Sequence, residues 1–279
     1  VPELPEVETM RRGIAAATGG VVDRVDLMPC PRKPINLSPS IGWLQRRMVG
    51  QRIDMVDRVG KRVVLRLASG DALVIEPRMT GLVLVADPPD PLYLRLRLSL
   101  VDCACRDIWY WDRRGLGHIR LLSPREQSEQ LGPHKLGPDA LVVTGPELHA
   151  RLGRSRRAVK VALLDQRVVA GIGNLYAAEI LHVASIHPAS GCHRLRRCDW
   201  QAIAEATHQV LGEAIYYEGS TLGDGTYRNA LNKDGSYQNK HRVYAKAGAT
   251  CERCGRGTIE RIVQTQRSTF FCRVCQRRR

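Results

Sequence analysis

Pro2, Glu3 and Glu6 stand together in the opening run Val1-Pro2-Glu3-Leu4-Pro5-Glu6-Val7-Glu8-Thr9. With Val1 read as a non-AUG start codon and removed, Pro2 presents a free secondary amine beside two carboxylates. Free α-amino groups titrate near ~8, so this nitrogen is a neutral nucleophile over a useful pH range. Amines of that character form Schiff bases with carbonyl-like carbons. The plainer reading is a proline that caps a first helix, the usual place of such a residue near a terminus. Retention of Val1 makes the same nitrogen an amide that cannot attack.

Four of the nine cysteines form two Cys-x2-Cys pairs, Cys251/Cys254 and Cys272/Cys275, with seventeen residues between the pairs. That spacing closes a tetrahedral four-sulfur site around one Zn²⁺, structural because no position is left open for water. A thiol redox pair is the weaker reading, because the two knuckles end a basic module. Between them Gln266-Arg267-Ser268-Thr269 is expected to form a turn from which Arg267 offers a planar fork to phosphate. Cys30, Cys103, Cys105, Cys192 and Cys198 are read as buried or free thiols.

Val169-Ala170-Gly171-Ile172-Gly173-Asn174 marks a junction between two helices whose glycines allow backbone amides to point at a phosphate, with the Asn174 side chain beside them. An ordinary helix–turn–helix connection explains the same residues. Lys160, one helix earlier, can reach the same strand or be simply solvated. Lys61 falls in the turn Arg58-Val59-Gly60-Lys61-Arg62, Met79 in Arg78-Met79-Thr80-Gly81, and Arg114 with Leu116 follows Trp109-Tyr110-Trp111. Large side chains at successive loop positions suit insertion into a base stack, although such residues are more often core.

The elements that carry these residues change character along the chain. A short amphipathic helix through Val7, Met10 and Ile14 precedes alternating runs at 21–28, 52–59, 62–67, 72–76, 82–86, 92–100 and 108–111, as in an antiparallel sandwich or barrel. A Gly- and Pro-rich stretch then leads to helical spacing at 158–170, 174–183 and 199–218. The expected organisation is a β-sandwich domain over 1–132, a linker over 133–145, a helical domain over 146–245 and a hairpin over 246–279.

A net charge of +15 and a pI of about 9.8 draw the chain to polyanions. From Lys240 onward eleven Lys and Arg face two Glu. A solvated basic surface is common, yet this magnitude favours nucleic acid over a small acidic substrate. With 43% hydrophobic residues, no long apolar run and no signal-like segment, a cytoplasmic protein without membrane association is expected. Only 5% of residues are aromatic, too few for a single-strand stacking surface.

In this order, the PELPEVET opening, the GKR loop, the RMTG turn, the VAGIGNLYA junction and the four-cysteine finger make the chain resemble the formamidopyrimidine-DNA glycosylases, the Fpg/Nei family. The resemblance implies an α+β fold: an N-terminal antiparallel β-sandwich with a leading helix, then a helix-two-turn-helix domain with a zinc hairpin. It implies a monomeric bacterial base-excision repair enzyme, nucleoid-associated, that binds damaged double-stranded DNA. Glycosylase and AP lyase activity on oxidised purines such as 8-oxoguanine and formamidopyrimidines would proceed through Pro2 with β,δ-elimination. Glu3 would be the acid/base, Glu6 a supporting group and Lys61 a contact to the lesion or its phosphate. Lys160, Asn174 and Arg267 match phosphate-binding positions; Met79, Arg114 and Leu116 match residues that fill the gap left by the flipped nucleotide.

The chain departs from the family pattern at Glu76-Pro77-Arg78, where His-Leu-Gly is usual, and at Leu116, where phenylalanine is usual. The 220–237 loop, which closes over an extruded purine in the family, is unusual at Gly223-Asp224-Gly225-Thr226-Tyr227. These departures leave open a preference for oxidised pyrimidines. Retained Val1 gives a non-catalytic DNA-binding module, and a general zinc-ribbon RNA binder accounts for charge and cysteines but not for the N-terminus.

Overall fold

The computed structural model describes residues 2–222, 225 and 227–278. Of the 220–237 loop, Gly223, Asp224 and Thr226 lie outside the described residues, as does Val1. The chain divides into two compact units, residues 1–132 with 215–238 and residues 133–214 with 239–279.

The first unit runs α1 (Leu4–Gly13), β1 (Val21–Leu27), β2 (Asn36–Ser38), α2 (Ile41–Met48), β3 (Ile53–Val59), β4 (Arg62–Leu67), β5 (Ala72–Glu76), β6 (Gly81–Leu84), β7 (Leu94–Val101), β8 (Asp107–Asp112), β9 (His118–Leu122) and α3 (Pro124–Leu131). Two sheets result, ordered β1-β7-β8-β6 and β2-β9-β5-β4-β3, antiparallel throughout except for β2 beside β9. The alternation of β7 sends Leu94, Leu96, Leu98 and Leu100 into one core with Val63, Leu65, Leu73 and Ile75 of the other sheet. In β4 the hydrophobic run is nearly continuous because both faces are covered: Val64 turns the opposite way and packs with Val74, Ala72, Leu122 and Leu131. Helices α2 and α3 and strands β2 and β9 lie outside the runs recognised from sequence.

Residues 215–238 cluster with the sheets, although by sequence they continue the helical domain. The cause is local: Tyr227 and Ala230 are part of the sheet core, and the Ala230 carbonyl accepts the Val85 amide at 2.9 Å.

The second unit holds α4 (Gly145–Leu152), α5 (Val159–Leu163), α6 (Asn174–Val183), α7 (Arg197–Tyr216, its last two residues in the first unit), β10 (Ile259–Gln264) and β11 (Arg267–Cys272). The Gly/Pro-rich stretch ends in a capping box, with Glu147 Oε2 accepting the Thr144 amide at 2.8 Å. The helix expected over 158–170 stops at Leu163. Gln166 is the reason: its side chain donates to the carbonyls of Leu164 (3.1 Å) and Ile172 (2.9 Å) and accepts the Gly171 amide (2.9 Å). These bonds satisfy backbone groups that a continued helix would otherwise have to pair.

In the β10–β11 hairpin Gln264 pairs with Arg267, leaving Thr265 and Gln266 as a two-residue turn at φ 46° and 61°. Positive φ at both positions matches the twist of the flanking strands. Arg267 is therefore the first residue of β11, not part of the turn expected over 266–269. Among the described residues no helix is long and apolar enough to cross a membrane.

Candidate active centre and nucleic-acid contact residues

Pro5 in the first turn of α1 lacks the N–H that would be orphaned there, so the helix begins at Leu4 with Glu3 as its N-cap. Pro2 is buried, Glu3 is 6% exposed and Glu6 is 3% exposed. Glu6 uses both carboxylate oxygens: Oε2 accepts the Glu3 amide at 2.8 Å and Oε1 the Ser220 amide at 2.9 Å. It thereby ties the residues at the helix head to the start of the 220–237 loop.

Glu8 was not singled out from sequence, yet it joins α1 to the turn that carries Lys61. Its carboxylate accepts from Arg11 (2.7 Å), Arg12 (2.8 Å) and Arg58 (3.1 Å), and Arg58 Nη1 donates onward to the Gly60 carbonyl at 3.0 Å. Burial opposes ionisation of Glu8, but the surrounding arginines outweigh it and hold the group below the usual carboxylate value. The helical spacing of Glu8, Arg11 and Arg12 signals the local pairs. The bond to Arg58 is a product of the fold.

Met79 and Arg114, on separate loops, meet: Arg114 Nη1 lies 3.4 Å from Met79 Sδ. Met79 is 38% exposed, Arg114 exposed and Leu116 half-buried. Asp112, fully buried at the end of β8, holds both loops. Its Oδ1 accepts from Thr80 Oγ1 and from the Arg114 amide (3.1 Å), and its Oδ2 accepts the Gly117 amide (2.8 Å) and Tyr110 Oη (3.3 Å). Nothing in the sequence marks Asp112 among the acidic residues of the chain.

In the second unit Lys160, only 1% exposed, donates to Asn174 Oδ1 (2.6 Å), Thr269 Oγ1 (2.7 Å) and the Ser268 carbonyl (3.2 Å). Asn174 Nδ2 also donates to the Ser268 carbonyl at 3.0 Å. The fold thus brings Lys160 and Asn174 together beside exposed Arg267, with the lysine's three donors directed inward. Gly171, at φ 113°, makes the turn into α6 that an L side chain would strain.

The sulfurs of Cys251, Cys254, Cys272 and Cys275 lie within 4.8 Å of one another. Cys251–Cys275 and Cys254–Cys272 are each 3.8 Å apart. A tetrahedron with Zn–S bonds of ~2.3 Å has edges of about 3.8 Å, so the donor set fits a metal ion of that size. Glu179 and Gln276 dock this end of the chain: Glu179, fully buried, accepts the amides of Arg242, Val243 and Tyr244 at 2.8, 2.9 and 2.8 Å. Buried Gln276 accepts the Cys272 amide and donates to the Ile186 carbonyl, both at 2.9 Å. Of the other thiols, Cys105 and Cys192 are buried and pushed up to about 11, as expected of unreactive core residues.

Residues 1–119 match the formamidopyrimidine-DNA glycosylase N-terminal domain and residues 136–225 the formamidopyrimidine-DNA glycosylase H2TH domain. A formamidopyrimidine-DNA glycosylase of Chloroflexus aurantiacus is 36% identical over 99% of this chain and 98% of its own length. The chain belongs to the formamidopyrimidine-DNA glycosylase family. Its fold is similar to that of the MutM (Fpg) protein from Thermus thermophilus, with a TM-score of 0.84, 34% identity and 100% of both chains covered. It is equally similar to Lactococcus lactis Fpg in complex with DNA containing an abasic site, with a TM-score of 0.85, 28% identity and coverage of 99% of this chain and 100% of that one.

This formamidopyrimidine-DNA glycosylase family member replaces the usual His-Leu-Gly with Glu76-Pro77-Arg78, and the structure accounts for the acid. Glu76 pairs with Arg62 (3.1 Å), Arg78 (3.2 Å) and Arg120 (3.5 Å). Burial opposes its charge, yet the three guanidinium groups hold it low. Arg78 takes φ 57° where the family pattern has glycine, so a strained residue and its ion pair stand next to Met79.

Proposed function

We propose that this protein is a bifunctional base-excision repair enzyme, a DNA glycosylase and AP lyase that removes oxidised purines from double-stranded DNA. The observation that carries the reading is the clamp at the head of α1, where Glu6 joins the Glu3 amide to the Ser220 loop directly beside Pro2. A relative in the solved structures, MutM, is held in complex with DNA containing carbocyclic 8-oxo-G, which supports the substrate class.

In this mechanism Val1 is absent from the active chain, and the Pro2 nitrogen attacks C1′ of the extruded nucleoside. The glycosidic bond breaks, and its electron pair leaves with the base. The Glu3 carboxylate takes the proton that the Pro2 nitrogen sheds on attack and passes it to the sugar ring oxygen. The ring opens as the nitrogen lone pair turns the C1′–Pro2 linkage into an iminium, and water protonates the departing base. The iminium acidifies the hydrogens at C2′, so β-elimination followed by δ-elimination releases both flanking phosphates. Lys61 contacts the lesion or its phosphate, while Met79, Arg114 and Leu116 occupy the vacated space in the duplex. Extrusion costs a few kcal/mol, which these side chains offset by stacking and hydrogen bonding.

Arg267 and the amides at the start of α6 bind phosphates, where helix polarity favours an anion. Lys160 supports that contact from beneath through Asn174 and Ser268. Cys251, Cys254, Cys272 and Cys275 would hold one structural Zn²⁺, which closes the hairpin and contributes no open coordination position.

The test is borohydride trapping on a duplex with one 8-oxoguanine opposite cytosine, followed by identification of the crosslinked peptide by mass spectrometry. An adduct at Pro2 is expected. An adduct only on abasic or oxidised-pyrimidine DNA would keep the chemistry and overturn the lesion class; no adduct on any of these, with Pro2 as first residue, would leave a DNA-binding module.

A further inference from the structure

A metal held by four thiolates carries a net charge of −2, and burying that charge requires hydrogen-bond donors around the sulfurs. The Gly257 amide of the first knuckle donates to Cys254 Sγ at 3.3 Å. Cys251 is the fully buried first cysteine of its knuckle. Among the described residues its sulfur has one partner outside the cysteine cluster, Nε2 of His182 at 3.5 Å, an ordinary separation for donation to an atom as large as sulfur.

His182 is in the last turn of α6 and is 2% exposed. Its other ring nitrogen, Nδ1, is buried and has no partner among the described residues. The backbone is gripped from the same knuckle, because Arg253 Nη1 donates to the carbonyls of His182 (2.8 Å) and Val183 (3.2 Å) in the last turn of the helix. Ring and main chain of one residue are therefore both engaged by residues 251–253.

The geometry decides where the ring proton resides. With the proton on Nδ1, a buried N–H would be orphaned and a bare lone pair would face an anionic sulfur, the two costliest arrangements available. With the proton on Nε2, the sulfur gains a donor and only an acceptor is left unpaired. We infer that His182 is a positioning residue of the metal site, donating its Nε2–H to the metal-bound Cys251 thiolate and fixing the first knuckle to α6. The inference rests on the reading of the four cysteines as a zinc site. Its consequence is chemical as well as mechanical: a thiolate that accepts a hydrogen bond is a weaker nucleophile, so Cys251 is protected from oxidants and alkylating agents, and metal loss is slowed. Partners of this kind in other metal sites alter metal affinity by ~10- to 100-fold when removed.

The decisive measurement is long-range ¹H–¹⁵N correlation of the imidazoles in the full-length metal-loaded protein, with ¹¹³Cd in place of zinc in a second sample. The expected result is a protonated Nε2 and a bare Nδ1 for His182, with scalar coupling from ¹¹³Cd to the ring proton. A protonated Nδ1, or no coupling with metal bound, overturns the inference and leaves the zinc reading intact. Failure of the folded protein to take up one metal ion per chain overturns both.

The variant test uses Co²⁺-loaded protein. His182→Phe should move the sulfur-to-cobalt charge-transfer band to lower energy and speed metal release to a chelator about 10-fold, whereas His182→Gln, which returns an N–H near the same place, should restore both. An unshifted band in a folded His182→Phe protein counts against the hydrogen bond.

Discussion

The Glu6 carboxylate accepts the amide of Ser220, 214 residues further along the chain, at 2.9 Å. The same side chain accepts the Glu3 amide at the head of α1. Glutamine at this position can accept through only one atom, so one of the two amides loses its partner. Glu6→Gln should cost about 1–3 kcal/mol, the range for a buried unmade hydrogen bond. Hydrogen exchange at Ser220 should quicken, and single-turnover base excision should fall by about 10-fold or more if that energy is expressed in the transition state. Unchanged exchange at Ser220 would show that the loop is held by other contacts.

Asp112 performs a comparable service for the loops of Met79 and Arg114. In Asp112→Asn, Oδ1 can still serve Thr80 and the Arg114 amide, but an amide group then faces the Gly117 N–H and Tyr110 Oη. Excision from duplex DNA should fall more steeply than lyase activity on a single-stranded abasic site, where no helix gap needs filling. Equal loss on both substrates would assign Asp112 to general stability.

Acid sensitivity should be visible through Glu8, whose value in the folded chain lies below the usual carboxylate value. A group depressed on folding contributes stability above its unfolded value of about 4.3 and loses it as pH falls through the lower folded value. The melting-temperature gap between the parent and Glu8→Gln should therefore be full near neutrality and narrow below about pH 4. A gap that widened on acidification would contradict the ion pairs with Arg11, Arg12 and Arg58.

Arg267 and Lys160 should separate cleanly although both are cations in one small region. Arg267→Ala is expected to weaken DNA binding and lower the salt slope by about one. Lys160→Met instead strips the donor from Asn174 Oδ1 and Thr269 Oγ1, while the Ser268 carbonyl keeps Asn174 Nδ2, so it should lower the melting temperature by several degrees, following the cost of about 1–3 kcal/mol per buried group left unpaired. Titrations of both variants across a salt series, with thermal melts alongside, distinguish contact from support.

Chelation should release one zinc ion per chain and expose the amides of β10 and β11 to exchange, because a four-thiolate site is part of the folding free energy of its hairpin. Loss of DNA binding should accompany it, while amides of the sheets in the first unit stay protected.

Much of this was legible in the residue order. The alternation of β7, the Cys-x2-Cys pairs and the Asn174 helix start are local patterns, and period and spacing alone specify them. Local pattern failed where a side chain replaced backbone pairing, as Gln166 did in ending α5, and where the hairpin register left only Thr265 and Gln266 to turn. The distant partners had no sequence signal: Ser220 for Glu6, Thr80 for Asp112, Thr269 for Lys160 and Cys251 for His182. Each joins a buried polar group to a residue far along the chain, and sequence records the group but not that partner. Residue types and spacing determined the chemistry this protein carries, because donors, thiolates and periodicity are properties of the chain itself. Only the tertiary structure decided which buried carboxylate, ammonium or imidazole meets which amide or sulfur, because burial compels each to find a partner and the fold alone supplies it.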